Sequence, residues 1–174
     1  MFVEIENEYV SGVSPDDEFT IRKKDNKYNF VRKGKLLVPW SKAFDSVKRF
    51  CCGYAEVYVE KNGEGFKGYV SKHGEIFFNP EDVIEIEYIV KESICRKMTI
   101  ELIKKAKTKE EVDLAENEYY YKRNKLKIEK NAKLNQLENK KESVEKKANY
   151  LSAYKQIRCQ KIVKGYWEDV TNNN

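Results

Sequence analysis

Three consecutive tyrosines, Tyr119-Tyr120-Tyr121, lead straight into Lys122-Arg123 and then Lys125, Lys127, Lys130 and Lys133. Within residues 122–133 these six basic side chains meet one acid, Glu129. Aromatic rings beside cations can stack on bases while the cations neutralise phosphates, which is the chemistry of single-stranded nucleic-acid binding. On a helix, however, three successive side chains point in different directions, so at most one or two of these rings share a face with the lysines. Tyr119 fits an apolar stripe, and lysines on long helices ordinarily face water. Nucleic-acid contact through Lys122, Arg123, Lys125, Lys127, Lys130 and Lys133 is therefore the alternative reading, and a solvated basic face is the first.

No other residue set specifies a reaction. Glu110, Glu111, Asp113, Glu116 and Glu118 precede the basic run, and acids at a helix start are explained by the helix dipole. They imply no pocket for paired-carboxylate catalysis. The acidic-then-basic order would let two such helices pair antiparallel, so a homodimer through this helix is an expected association. His73, in the turn Lys72-His73-Gly74, has no nucleophile or carboxylate partner indicated. Cys51, Cys52, Cys95 and Cys159 lack C-x-x-C spacing, and one histidine gives zinc little support. Reduced thiols in the cytoplasm are the expectation. No catalytic residue, metal or cofactor is expected, and the chain reads as a non-enzyme.

Aromatic side chains are the more promising working parts. Twelve tyrosines, eight phenylalanines and two tryptophans exceed the needs of a small core. Such rings anchor protein interfaces. Trp40, Tyr54, Tyr58 and Phe66 lie in or beside turns and, with Tyr120 and Tyr121, are the expected partner-binding residues. Trp167, after Gly165, is expected to clasp the first half of the chain.

The elements that must position these residues fall into two parts. All three prolines and seven of the eight glycines lie before residue 81, and neither residue occurs between Pro80 and Gly165. Gly and Pro punctuate strands and turns and break helices. Charge divides the same way: residues 1–90 carry 13 Lys+Arg and 16 Asp+Glu, while residues 91–174 carry 21 and 13. Only the second part could favour an acidic partner. The chain of 174 residues has no apolar run long enough to span a membrane, and Met1–Glu6, without a basic start and apolar stretch, is not expected to be a secretory signal.

Alternation predicts strands over Phe2–Val10, Phe19–Lys23, Lys27–Arg32, Tyr54–Glu60, Phe66–Ser71, Glu75–Phe78 and Val83–Val90. Lys24-Asp25-Asn26 and Lys61-Asn62-Gly63 supply hairpin turns. Residues 26–78 repeat themselves: Tyr28-Asn29-Phe30-Val31 then Gly34-Lys35-Leu36, and Phe66-Lys67-Gly68-Tyr69-Val70 then Gly74-Glu75-Ile76. Between the copies lie Trp40, Phe44-Asp45, Val47, Phe50, Gly53, Ala55 and Val57. This pattern resembles the WG repeat family over about 50 residues, with Tyr28-Asn29 and Lys67-Gly68 standing where a Trp-Gly pair would be. The resemblance implies small antiparallel β repeats that serve as interaction modules. Repeats of this kind need about three units for stability, so fewer than two full units should lean on the rest of the chain.

In the second part, Ile94, Met98, Leu102 and Ala106 form one stripe from near Ser93, and Thr108-Lys109-Glu110-Glu111 reads as a capping box that starts a new helix. Val112, Ala115, Tyr119 and Leu126 continue an inward face; Leu134, Leu137, Val144, Ala148 and Leu151 follow at coiled-coil-like spacing, which Arg123, Lys130 and Lys141 interrupt. A helix from 109 to about 163 would be roughly 80 Å long. Either a break near Asn131–Asn139 or pairing with a second copy is expected. The expected class is α+β: an antiparallel, WG-repeat-like β domain over 1–90, a helical hairpin or coiled-coil arm over 91–167, and a disordered tail over 168–174. Such a plan suits a protein that occupies another protein's surface as an inhibitor or adaptor, like those bacteriophages carry against host or defence proteins.

Overall fold

The computed structural model describes the backbone of Val3–Glu4 and of residues 18–172, and the side chains of residues 18–159. Two antiparallel meanders are followed by two long helices. The first sheet holds β1 (Val3–Glu4), β2 (Thr20–Lys24), β3 (Lys27–Arg32) and β4 (Lys35–Leu36) in that order. The second holds β5 (Ser46–Val47), β6 (Tyr54–Lys61), β7 (Glu64–Ser71) and β8 (Ile76–Phe77). Of the strand expected over Phe2–Val10, Val3–Glu4 pairs with β2 and residues 5–10 lie outside the described residues. Trp167 has its side chain outside them too.

Four of the turns are two-residue turns with both central residues at positive φ: Asp25 and Asn26, Lys33 and Gly34, Cys52 and Gly53, Asn62 and Gly63. That geometry matches the right-handed twist of the flanking strands. The internal repeat also shows in the strand pairing. Val31 pairs with Leu36, and Val70 pairs with Ile76, so the β7–β8 turn is one residue longer than the β3–β4 turn. This accounts for the repeat distances, 39 residues from Phe30 to Tyr69 but 40 from Gly34 to Gly74.

The two sheets share one core. Ile21, Phe30, Val38, Phe44, Phe50, Ala55, Val57 and Val70 form a single buried cluster. Phe30 meets Phe50 edge-on at 4.7 Å, and Phe19 stacks on Phe50 at 4.1 Å. The aromatic-Asp step joins the sheets. Phe44 exchanges backbone hydrogen bonds with Tyr28, while the next residue, Asp45, donates its N–H to Tyr58 of the second sheet. The Asp45 carboxylate accepts from Lys27 Nζ at 2.6 Å and from the Glu60 N–H at 2.9 Å. Asn29 is fully buried, with its amide donating to the Val38 carbonyl at 2.8 Å and its carbonyl accepting from the Phe30 N–H.

The strand expected over Val83–Val90 is not formed: those residues belong to helix α1, Pro80–Lys105. Asn79 caps it, accepting from the Glu81 N–H at 3.1 Å, Pro80 occupies the first turn, and Glu81 and Asp82 follow. Proline with its fixed φ and acids near the dipole's positive end are strong start signals. The helix thus opens well before Ser93, and the β part ends at about residue 79. Helix α2, Lys109–Asn172, starts at the capping box as expected. Thr108 Oγ1 accepts from the Glu111 N–H, and the Glu111 carboxylate accepts from the Lys107 N–H at 2.6 Å. Asn131–Asn139 lies inside α2, so no break forms there. A helical hairpin does form, but its turn is at 106–108. The tail expected over 168–174 is helical as far as Asn172.

Candidate functional site

A helical hairpin needs a fixed register before its facing side chains can form a surface. Here ion pairs supply it. Glu85 meets Lys130 at 2.9 Å and Glu92 meets Arg123 at 2.9 Å. Moving from Glu85 to Glu92 along α1 corresponds to moving from Lys130 back to Arg123 along α2, which defines an antiparallel pair. A second seam ties the pair to the sheet. Glu56 on β6 binds Lys48 at 2.7 Å and Lys67 on β7 at 3.0 Å. Glu87 on α1 binds Lys91 at 2.6 Å and Lys133 at 3.0 Å, with Lys67 at 4.0 Å. Lys91 and Lys133 also sit over the buried Tyr88 ring, at 4.7 and 5.1 Å from its centre.

These carboxylates are tuned by their partners. Burial pushes the Glu56 and Glu87 carboxyls up, but hydrogen bonds from Lys48 and Lys67, and from Lys91 and Lys133, outweigh it and hold both below the usual range. The Lys27 hydrogen bond likewise lowers Asp45. Burial beside Glu56 and Glu87 pushes the Tyr69 phenol up to about 12. A carboxyl depressed in the folded state stabilises the fold above its unfolded pKa and loses that contribution as pH falls. Unfolding midpoints are therefore expected to be flat from about pH 7 to 5 and to drop below about 4.5. Glu87→Gln should be less stable at neutral pH but should lose less between about pH 5 and 3. Denaturant titrations at each pH check this; equal acid sensitivity in both proteins would remove the seam from the account.

Beside the register-setting pairs, the two helices do not close on each other. Ile94, Cys95, Met98 and Leu102 of α1 and Ala115, Tyr119 and Leu126 of α2 line an open groove of about 390 Å³. Met98 is 43% exposed and Leu102 53%. Charged side chains of both signs, Lys91, Glu118, Lys122, Lys125 and Glu129, edge it. The structure brings Ile94, Met98 and Leu102 of the expected α1 stripe together with Ala115, Tyr119 and Leu126 of the expected inward face of α2, and leaves the seam between them open.

The other expected residues scatter. Tyr54 and Tyr58 share the face of β6 that carries Glu56 of the seam, whereas Phe66, opposite Val59, lies on the other face of the same ribbon. Tyr54 is half-buried, with its ring 6.4 Å from that of Phe77. The exposed Tyr58 ring lies over Gly65, where any Cβ would collide with it. Trp40 is half-buried in a 3-10 turn, Trp40–Lys42. Tyr120 and Tyr121 are exposed on α2, and the Tyr119 and Tyr120 rings touch edge to face at 5.5 Å. Of the basic run, Lys122 pairs with Glu118, Arg123 with Glu92, Lys130 with Glu85 and Lys133 with Glu87. α1 thus supplies carboxylates that neutralise much of that run.

Cys51 is buried and Cys52 half-buried, with their sulfurs 3.6 Å apart and unbridged; His73 is exposed in its turn. Among the described residues no group of His, Cys, Asp and Glu could hold a metal ion, and no helix is long and apolar enough to cross a membrane. No family model, curated protein or solved structure matches the chain.

Proposed function

We infer that the chain is a protein-binding module that acts by occupying another protein's surface, as an inhibitor or adaptor. The open apolar groove between α1 and α2 carries this reading. Two antiparallel helices with an uncovered apolar seam are short of a third helix, and an amphipathic helix laid along the seam completes the packing. The occupant is accordingly a helix of the partner with an apolar stripe over Met98, Leu102 and Tyr119. Its charged flanks would face Lys122 and Lys125 on one hand and Glu118 and Glu129 on the other. The WG-like β half serves as the platform that holds α1 in place through Glu56, Lys67 and Glu87. A phage protein that blocks a host or defence protein is the narrower form of the same reading.

The test is affinity capture from the cell that makes the protein, with wild type and Met98→Glu/Leu102→Glu side by side. Both side chains are exposed, so the variant should keep its helical circular dichroism. A stoichiometric protein recovered by wild type and reduced about tenfold or more by the variant is expected. No partner, or one captured equally by both, overturns the reading. Recovery of RNA instead, falling steeply with salt and lost in Lys125→Glu/Lys127→Glu, would transfer the function to the basic run.

A further inference from the structure

The part of α2 beyond Lys133 has a different problem from the groove. Every residue from Glu138 to Cys159 is exposed, including Val144 at 67% and Leu151 at 52%. Isolated helices are marginal in water, and most helical stability in proteins comes from packing an apolar face. Leu134, Leu137, Lys141, Val144, Ala148 and Leu151 fall on one face at alternating steps of three and four, the seam of a two-stranded coiled coil. A lysine at one seam position favours a dimer over larger bundles, because its stem can pack while its ammonium reaches water at the edge.

Charges beside the seam choose the partner and its direction. Lys140 and Lys147 flank one edge, and Glu138 and Glu145 flank the other. Glu142 and Lys146 lie on the outer face, where they pair with each other at 3.4 Å. In a parallel pair of identical helices each edge meets the opposite edge of its twin. Lys140 then faces Glu145 of the second copy, twice by symmetry. In an antiparallel pair each edge meets itself, which sets lysine against lysine and glutamate against glutamate. We propose that residues Leu134–Leu151 form a parallel coiled coil with a second copy of this chain.

The proposal is independent of the groove, which lies in another stretch of sequence. Sedimentation of the full chain from about 1 μM to about 1 mM is expected to pass from the monomer mass of 20.6 kDa to twice that value. Leu137→Ser/Val144→Ser should abolish the transition. Lys140→Glu and Glu145→Lys should each weaken the dimer about tenfold, because each replaces two attractive pairs with two repulsive ones. Mixing those two variants should restore it, since every edge pair is then again opposite in charge. A monomer at all concentrations overturns the proposal. So does a dimer untouched by the seam variant, or one that Lys140→Glu tightens, which is the antiparallel result.

Discussion

Phe30→Ala is expected to cost about 3–5 kcal/mol and to unfold both hairpins together. Phe30 is fully buried and touches the rings of Phe50 and Phe44, at 4.7 and 6.5 Å. It sits in the first sheet, yet the cluster it fills includes Ala55, Val57 and Val70 of the second. A cavity there removes contacts from both sheets at once, and neighbours held in two-residue turns have little room to relax into it. Domains of this size have about 5–15 kcal/mol of stability in total, so the loss is a large fraction of it. Hydrogen exchange followed by mass spectrometry separates the outcomes. Protection should fall in 20–37 and in 54–77 by the same free energy. If only the first hairpin opens, the shared-core account fails. Leu114→Ala, at a side chain 68% exposed, is the control and should move stability by less than about 0.5 kcal/mol.

That coupling was not visible in the chain as written, although much of the β half was. The strands over Lys27–Arg32, Tyr54–Lys61 and Glu64–Ser71 announce themselves because alternation and Asn-Gly-type turns are local signals. Val83–Val90 reads as a strand because a β-branched run with apolar residues on both faces satisfies strand and buried helix alike. The deciding information lay just upstream, in Asn79-Pro80-Glu81-Asp82, which is a helix start. The break expected near Asn131 failed for a related reason. Asparagine in a helix costs only tenths of a kcal/mol, and no Gly or Pro is present to stop the helix. The groove and the Glu56–Lys67–Glu87 seam depend on how α1 lies against α2 and β7, and no local pattern encodes that. The candidate aromatics Trp40, Tyr54, Tyr58 and Phe66 lie in or beside turns, whereas an apolar opening lies between the two helices.

The repeated glycines provide the second large effect. Gly34 and Gly74 stand at matching places in the two copies, both with positive φ, at 76° and 86°. On backbone conformation alone, alanine at either should cost on the order of 1 kcal/mol, because L side chains rarely adopt this region. Their surroundings differ. A Cβ at Gly34 meets nothing within 4 Å, whereas one at Gly74 would lie 2.8 Å from the Leu37 carbonyl oxygen. That oxygen belongs to the backbone and cannot swing aside as a side-chain tip could. Leu37 is itself fixed, since its N–H donates to the Phe30 carbonyl at 2.8 Å, and Asn29 holds the neighbouring Val38 carbonyl. The strain at Gly74 therefore transmits to the first hairpin, and Gly74→Ala should cost about 2–4 kcal/mol against about 1 for Gly34→Ala. Urea denaturation of the two variants measures the difference. Equal losses would mean that the β7–β8 turn is free of the first sheet, and the repeat would then be two independent hairpins rather than one interlocked pair.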